Sequence, residues 1–140
     1  MEVKQSVRLP VPVTDVWNRI GGFNSLFDWH PMVEKSEVQG GTVRKLTLPG
    51  GATIVQKLEG KDDKSYKYSY SVTETPLPVA DYHSTIEVRK DGDESVVEWM
   101  GRFEPKGGAN AKDAQKAVQD AYQAGLDNLK KMFGQFGATA

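Results

Sequence analysis

The sequence predicts an α+β domain in which a seven-stranded antiparallel sheet packs on one long C-terminal helix, with two short helices between strands 1 and 2. Three observations lead there. From Asn110 to Phe133 the apolar residues keep a helical period. From about Val33 to Glu104 turn residues break the chain at the spacing of strands. The connections at those breaks are too short for parallel crossovers, so the strands form an antiparallel meander.

In the first strand, Val3, Gln5, Val7 and Leu9 alternate with Glu2, Lys4, Ser6 and Arg8, the period of a half-buried strand. Pro10 and Pro12 end it. Pro12 suits the first position of a helix, and Asp15 sets a carboxylate near the positive helix end. Val13, Val16, Trp17 and Ile20 then hold helical spacing up to Gly21 and Gly22. A second helical piece, Phe23 to Trp29, is closed by Pro31, whose ring pushes the preceding residue out of the α region. His30 therefore sits at a chain reversal.

Beyond Val33 the breaks are Gly40-Gly41, Pro49-Gly50-Gly51, Gly60 to Lys64, Pro76-Leu77-Pro78 and Lys90 to Glu94. Side chains alternate across a strand, so parity assigns the faces. Leu46 and Leu48 carry Arg44 inward, and Ile54 and Leu58 carry Gln56. Val72 carries Tyr66, Tyr68 and Tyr70; Ile86 and Val88 carry Tyr82 and Ser84; Val97 carries Trp99, Gly101 and Phe103. Lys45, Lys57, Glu59, Lys67, Glu87, Arg89, Glu98 and Arg102 fall on the outer face. Counting outward from Gly50-Gly51 makes Arg44 and Gln56 cross-strand neighbours, or one diagonal apart.

On the last helix Ala114, Val118, Ala121, Tyr122, Gly125, Leu129, Met132 and Phe133 form one stripe, and the segment is about 35 Å long. The centre of that stripe holds Ala121 and Gly125 where a helix seated directly on a sheet more often carries Leu, Ile or Phe. Either a strand approaches Gly125 closely or volume is left there for a ligand.

Composition narrows the function classes. The 140 residues suit one domain, residues 1–140, with a real core. Eighteen basic against 19 acidic side chains give a net charge of −1, which favours neither nucleic acid nor an anionic membrane as partner. The lack of cysteine excludes disulfides, thiolate catalysis and cysteine metal sites. No window reaches the roughly 18 apolar residues of a membrane span, and no signal-peptide block opens the chain, so a cytoplasmic location is expected. Phosphate-loop, dinucleotide and serine-elbow motifs are missing, and His30 and His83 fall on opposite faces. Neither a cofactor nor a metal is expected.

The order of elements resembles the helix-grip fold of the START-like (SRPBCC, birch-pollen-allergen-like) superfamily, in which a curved sheet wraps around the C-terminal helix. The wording is similar to its bacterial polyketide cyclase/dehydrase-like group: Val16-Trp17, Asp28-Trp29-His30-Pro31, Arg44-Lys45-Leu46, Leu77-Pro78, Tyr82, and Trp99 followed by Phe103-Glu104-Pro105, across nearly the whole chain. The resemblance implies a hollow between sheet and helix that holds a small, largely apolar molecule. Relatives often carry Glu where this chain has Gln56. In the plant abscisic-acid receptors of the superfamily, loops at the places of Leu48–Gly51 and Pro76–Val79 act as gate and latch, though their wording differs.

The residues themselves point to a lined pocket, because the inward face mixes aromatics with a few polar groups. The expected ligand-binding set is Trp29, His30, Arg44, Leu46, Gln56, Tyr68, Tyr70, Tyr82, Ser84, Trp99, Phe103, Val118, Ala121, Tyr122, Gly125 and Leu129. The bland alternative is a filled core. Arg44 either meets a ligand carboxylate or phenolate, with Gln56 only accepting its hydrogen bond, or snorkels to the rim. His30 is the proton-transfer candidate, with Arg44 as charge stabiliser, or else it is structural. Two functions follow: a binding or carrier module for an aromatic, polyketide-like or lipid-like ligand, and a cyclase or dehydratase acting in the same pocket. A protein-interaction module fits poorly with the charged outer face. A monomer or a homodimer is equally compatible with the sequence.

Overall fold

The computed structural model describes residues 1–138. Its elements are β1 (Glu2–Leu9), α1 (Val13–Ile20), α2 (Leu26–Trp29), β2 (Lys35–Gln39), β3 (Val43–Thr47), β4 (Thr53–Asp62), β5 (Lys67–Glu74), β6 (Val79–Asp91), β7 (Glu94–Pro105) and α3 (Ala111–Ala138). All seven strands pair antiparallel in the order β1-β7-β6-β5-β4-β3-β2. Six strands thus run as the expected meander, and β1 closes onto the last of them. Helix α3 packs across β1 and β7, and α2 packs on α3 as well.

Parity holds along most of the sheet. Leu46, Tyr70, Ile86, Val97 and Trp99 are buried, while Lys4, Glu98 and Arg89 pair on the outer face as exposed ion pairs that contribute little to stability. Arg44 and Gln56 stand directly opposite each other.

Several local expectations are corrected. Strand β4 runs through Gly60 to Asp62, because a register shift between Leu58 and Gly60 absorbs the glycine inside the ladder. Tyr66 lies in the turn before β5 at φ 56° and packs edge-on against Trp17. In β6 a second irregularity between Ala80 and His83, with Asp81 at φ 50°, lets both Val79 and Tyr82 turn inward. Pro12 is the N-cap of α1 rather than its first residue. The second helix is only Leu26–Trp29, so the Phe23 carbonyl lies outside any helix and is free to accept a hydrogen bond.

Helix α3 begins where Asn110 Oδ1 accepts the backbone N–H groups of Lys112 and Asp113. Its buried residues include Ala114, Val118, Tyr122, Leu126, Leu129 and Phe133. Leu126 lies outside the expected stripe, while Ala121 and Met132 are only half-buried. The buried arc is wider than one stripe because the sheet and α2 both cover the helix. Each fully buried leucine here contributes roughly 1.5–3 kcal/mol.

Candidate functional site

A cavity of about 270 Å³ lies between the inner face of the sheet and α3. The sheet contributes Leu46, Leu48, Ile54, Gln56, Tyr70, Val72, Tyr82 and Trp99, and the segment around α2 adds Leu26, His30, Met32 and Val33. Thr75 and Leu77 come from the end of β5 and the loop after it. The helical wall is Ala117, Asp120, Ala121, Tyr122 and Ala124. Ala117, Ala121 and Ala124 fall one turn apart, so a strip of methyl groups keeps the helix from filling the space. Met32 and Asp120 are the exposed members and mark the open side.

Eight of the residues expected to bind a ligand line this cavity: His30, Leu46, Gln56, Tyr70, Tyr82, Trp99, Ala121 and Tyr122. The other eight stand behind the wall. Phe103, Val118 and Leu129 pack in the core, Tyr68 lies against Phe23 and Tyr70, and Ser84 is a buried hydrogen-bond hub. Trp29 packs on Trp99 at 5.5 Å between ring centroids. Arg44 sits beyond Gln56.

Gly125 fits neither of its expected roles. Its nearest neighbours are the rings of side chains rather than strand backbone. A Cβ built there would stand 2.7 Å from His30 Cδ2 and 3.0 Å from both Trp29 Cζ3 and Trp99 Cζ3. Through this gap the His30 Nε2–H donates to the Ala121 carbonyl at 2.7 Å, while Nδ1 accepts the Met32 backbone N–H at 3.1 Å. The carbonyl can only accept, which fixes the tautomer. Both ring nitrogens are thereby engaged, and burial lowers the imidazole pKa, so His30 is held neutral.

A second polar cluster runs along the wall. Ser84 Oγ donates to the Met100 carbonyl at 3.0 Å, which uses its one proton. It must then accept from Trp99 Nε1–H at 3.0 Å and from the Tyr122 hydroxyl at 2.7 Å. Tyr122 in turn accepts from Tyr82 at 2.5 Å. Gly101 makes this possible, since a Cβ there would collide with the Tyr122 hydroxyl and stand 2.9 Å from Tyr82 Cε1. The Tyr122 ring stacks on Trp99 at 4.4 Å. Burial raises the Tyr82 and Tyr122 phenols well above their ordinary pKa and pushes Tyr70 up to about 12, so all three stay protonated near neutrality.

Arg44 is fully buried, which rules out the rim position. Its Nε–H donates to Gln56 Oε1 at 2.6 Å, and Nη1 donates to the Phe23 carbonyl at 2.7 Å and the Tyr68 hydroxyl at 3.3 Å. The guanidinium carbon lies 4.3 Å from the Phe23 ring centroid and 4.9 Å from that of Tyr70. No carboxylate pairs with it among the described residues, and Nη2 has no partner. His83 faces outward beside Glu59, and the described residues hold no cluster of metal-ligating side chains.

Sequence reasoning missed Leu48, Ile54 and Val72 as wall residues although their parity was inward. The spacing of Ala117, Ala121 and Ala124 was the other readable signal. A family model described as polyketide cyclase/dehydrase and lipid transport matches residues 1–134. The chain belongs to this family. Among solved structures, a Bacillus thuringiensis protein is 38% identical with a TM-score of 0.92, covering 95% of this chain and 98% of its own. The Bacillus cereus protein XoxI is 37% identical with a TM-score of 0.93, covering 97% of each chain. The Zhui aromatase/cyclase of a Streptomyces species shares the fold at 17% identity, with a TM-score of 0.78 and coverage of 96% of this chain and 94% of its own. No curated protein matches. The helix-grip architecture of this polyketide cyclase/dehydrase family member is therefore established, and no helix among its described residues is long and apolar enough to cross a membrane.

Proposed function

We propose that this chain binds a small, largely apolar molecule in the cavity between sheet and helix. The observation that carries the reading is the helical wall: Ala117, Ala121 and Ala124 leave space where larger side chains would close a dry core. Around that space the lining is mostly leucine, isoleucine, valine and aromatic rings, with a few polar groups among them. A cyclase or dehydratase role, suggested by the family description and by the name of the Streptomyces aromatase/cyclase, needs a proton carrier open to the cavity. His30 has both nitrogens committed to backbone groups, so binding stands ahead of turnover.

Titration with an apolar naphthalene probe tests the reading. Saturable binding that perturbs tryptophan emission is expected, because Trp99 lines the cavity and Trp29 packs on it. Ala121→Leu should fill the space and abolish binding while the melting temperature holds. Unsaturable probe uptake, or binding that survives Ala121→Leu, would sink the reading.

A further inference from the structure

Two polar groups of the cavity wall have a direction that their hydrogen bonds impose. Arginine has only donors, so the Gln56 atom facing Arg44 must be Oε1. The amide nitrogen is left on the other end, and it has no acceptor among the described residues. Gln56 lines the cavity, and Nε2 is not among the sealed, unpartnered atoms, so its N–H groups open on that space.

Tyr70 reaches the same condition by a different route. Its hydroxyl accepts from Trp99 Nε1–H at 3.1 Å, a proton that it shares with Ser84, and no hydrogen bond donated by the hydroxyl itself is found among the described residues. Ser84, the neighbouring hydroxyl that pulls on the Tyr70 phenol, already donates to Met100 and accepts from Trp99 and Tyr122. The Tyr70 proton is thus uncommitted in the cavity wall.

The two free donors share one neighbour. Arg44 holds Gln56 by its Nε and lies 4.9 Å from the centre of the Tyr70 ring. Its charge is buried with no carboxylate against it, and one of its nitrogens is unpartnered. A buried cation without a counter-ion raises the potential around it, and that field favours negative charge nearby.

Resting on the binding role proposed above, we infer that Gln56 Nε2 and the Tyr70 hydroxyl donate to an oxygen acceptor on the ligand, backed by the charge of Arg44. The ligand is then an apolar molecule, small enough for a cavity of about 270 Å³, that carries a carbonyl or, better, a carboxylate.

Three naphthalenes of one ring size decide this: ethylnaphthalene, acetylnaphthalene and naphthoate, each titrated against the full chain by tryptophan fluorescence at neutral pH. Wild type should bind acetylnaphthalene about 3- to 10-fold more tightly than ethylnaphthalene, and naphthoate more tightly again. Tyr70→Phe should bring the ratio of acetylnaphthalene to ethylnaphthalene affinity close to one. Gln56→Glu keeps an acceptor for Arg44 but replaces the donors with a carboxylate, so naphthoate binding should fall at least 10-fold. Equal affinity for all three probes in wild type overturns the subsite and leaves the apolar cavity standing. Failure of all three to bind overturns both. Acetylnaphthalene binding as tightly as naphthoate removes Arg44 from the inference.

Discussion

His30 reaches the backbone of α3 through the gap that Gly125 leaves: the imidazole lies where a Cβ would stand 2.7 Å from its Cδ2, and its Nε2–H meets the Ala121 carbonyl. Ala121 is one helical turn before Gly125, so the missing side chain uncovers that carbonyl. Trp29 and Trp99 crowd the same spot from two other directions.

Gly125→Leu should therefore destabilise the fold. A leucine gains about 1 kcal/mol of helix propensity over glycine, but three rings must part to admit it. Overpacking of that kind typically costs about 1–3 kcal/mol, and the net loss should show in a urea melt. A stability gain would mean that the rings part freely.

Acid should weaken the protein through the same histidine. Burial lowers the folded pKa of His30 below its ordinary value near 6.5, so the unfolded chain binds the extra proton first. Stability is then fully present above about pH 6.5 and is lost as pH falls toward the folded pKa, with a slope that can approach about 1.4 kcal/mol per pH unit. His30→Gln removes this component, so comparing the two proteins at pH 7.5 and pH 5.5 cancels the carboxylates they share. Identical slopes would contradict a buried neutral imidazole.

Gln56→Glu should raise the melting temperature. The amide now accepts a hydrogen bond from a buried cation, and a carboxylate in its place supplies the missing counter-charge at 2.6 Å. Hydrogen bonds to charged groups exceed neutral ones by about 1 kcal/mol, which sets the expected gain. Arg44→Ala has the opposite sign, since it empties a buried site and orphans the Phe23 carbonyl and Gln56 Oε1.

Alkaline titration separates the tyrosines. Tyr70, Tyr82 and Tyr122 are buried as neutral phenols, with pKa values above the ordinary value of 10. Following phenolate absorbance, these three of the five tyrosines should ionise only together with unfolding. Reversible ionisation of these three in the folded state would place the cluster in contact with water.

Gly101→Ala tests how tightly that cluster is built. The new methyl group collides with the Tyr122 hydroxyl, so it should cost about 1–3 kcal/mol of overpacking plus roughly 1 kcal/mol for the disturbed hydrogen bonds. Near-UV circular dichroism should change with it, through the Trp99–Tyr122 stack.

The period of two made most of the sheet legible. It placed Gln56, Tyr70, Tyr82 and Trp99 inward, and counting from Gly50-Gly51 paired Arg44 with Gln56. Gly60 misled because a glycine that signals a turn also serves a bulge inside a strand. The extra inward residue Val79 depends on the Asp81 irregularity, which no alternation pattern contains. Gly125 and Leu126 were beyond local reading altogether. The role of Gly125 follows from α2 packing on α3, a meeting of segments nearly a hundred positions apart. The fate of Arg44 was likewise open until the shortened second helix freed the Phe23 carbonyl to hold it inside.

The pairing of β1 with β7, Glu2 opposite Arg102, has a consequence for how the chain acquires its shape. The first strand synthesised has no strand partner until the last one exists, and α3, which packs on β1, is made later still. The meander from β2 to β6 can form by hairpins between near neighbours, but closure of the sheet waits for both ends of the chain. Such long-range pairing slows folding, and an unpaired β1, with Val3, Val7 and Leu9 uncovered, is the segment most in need of shelter during translation.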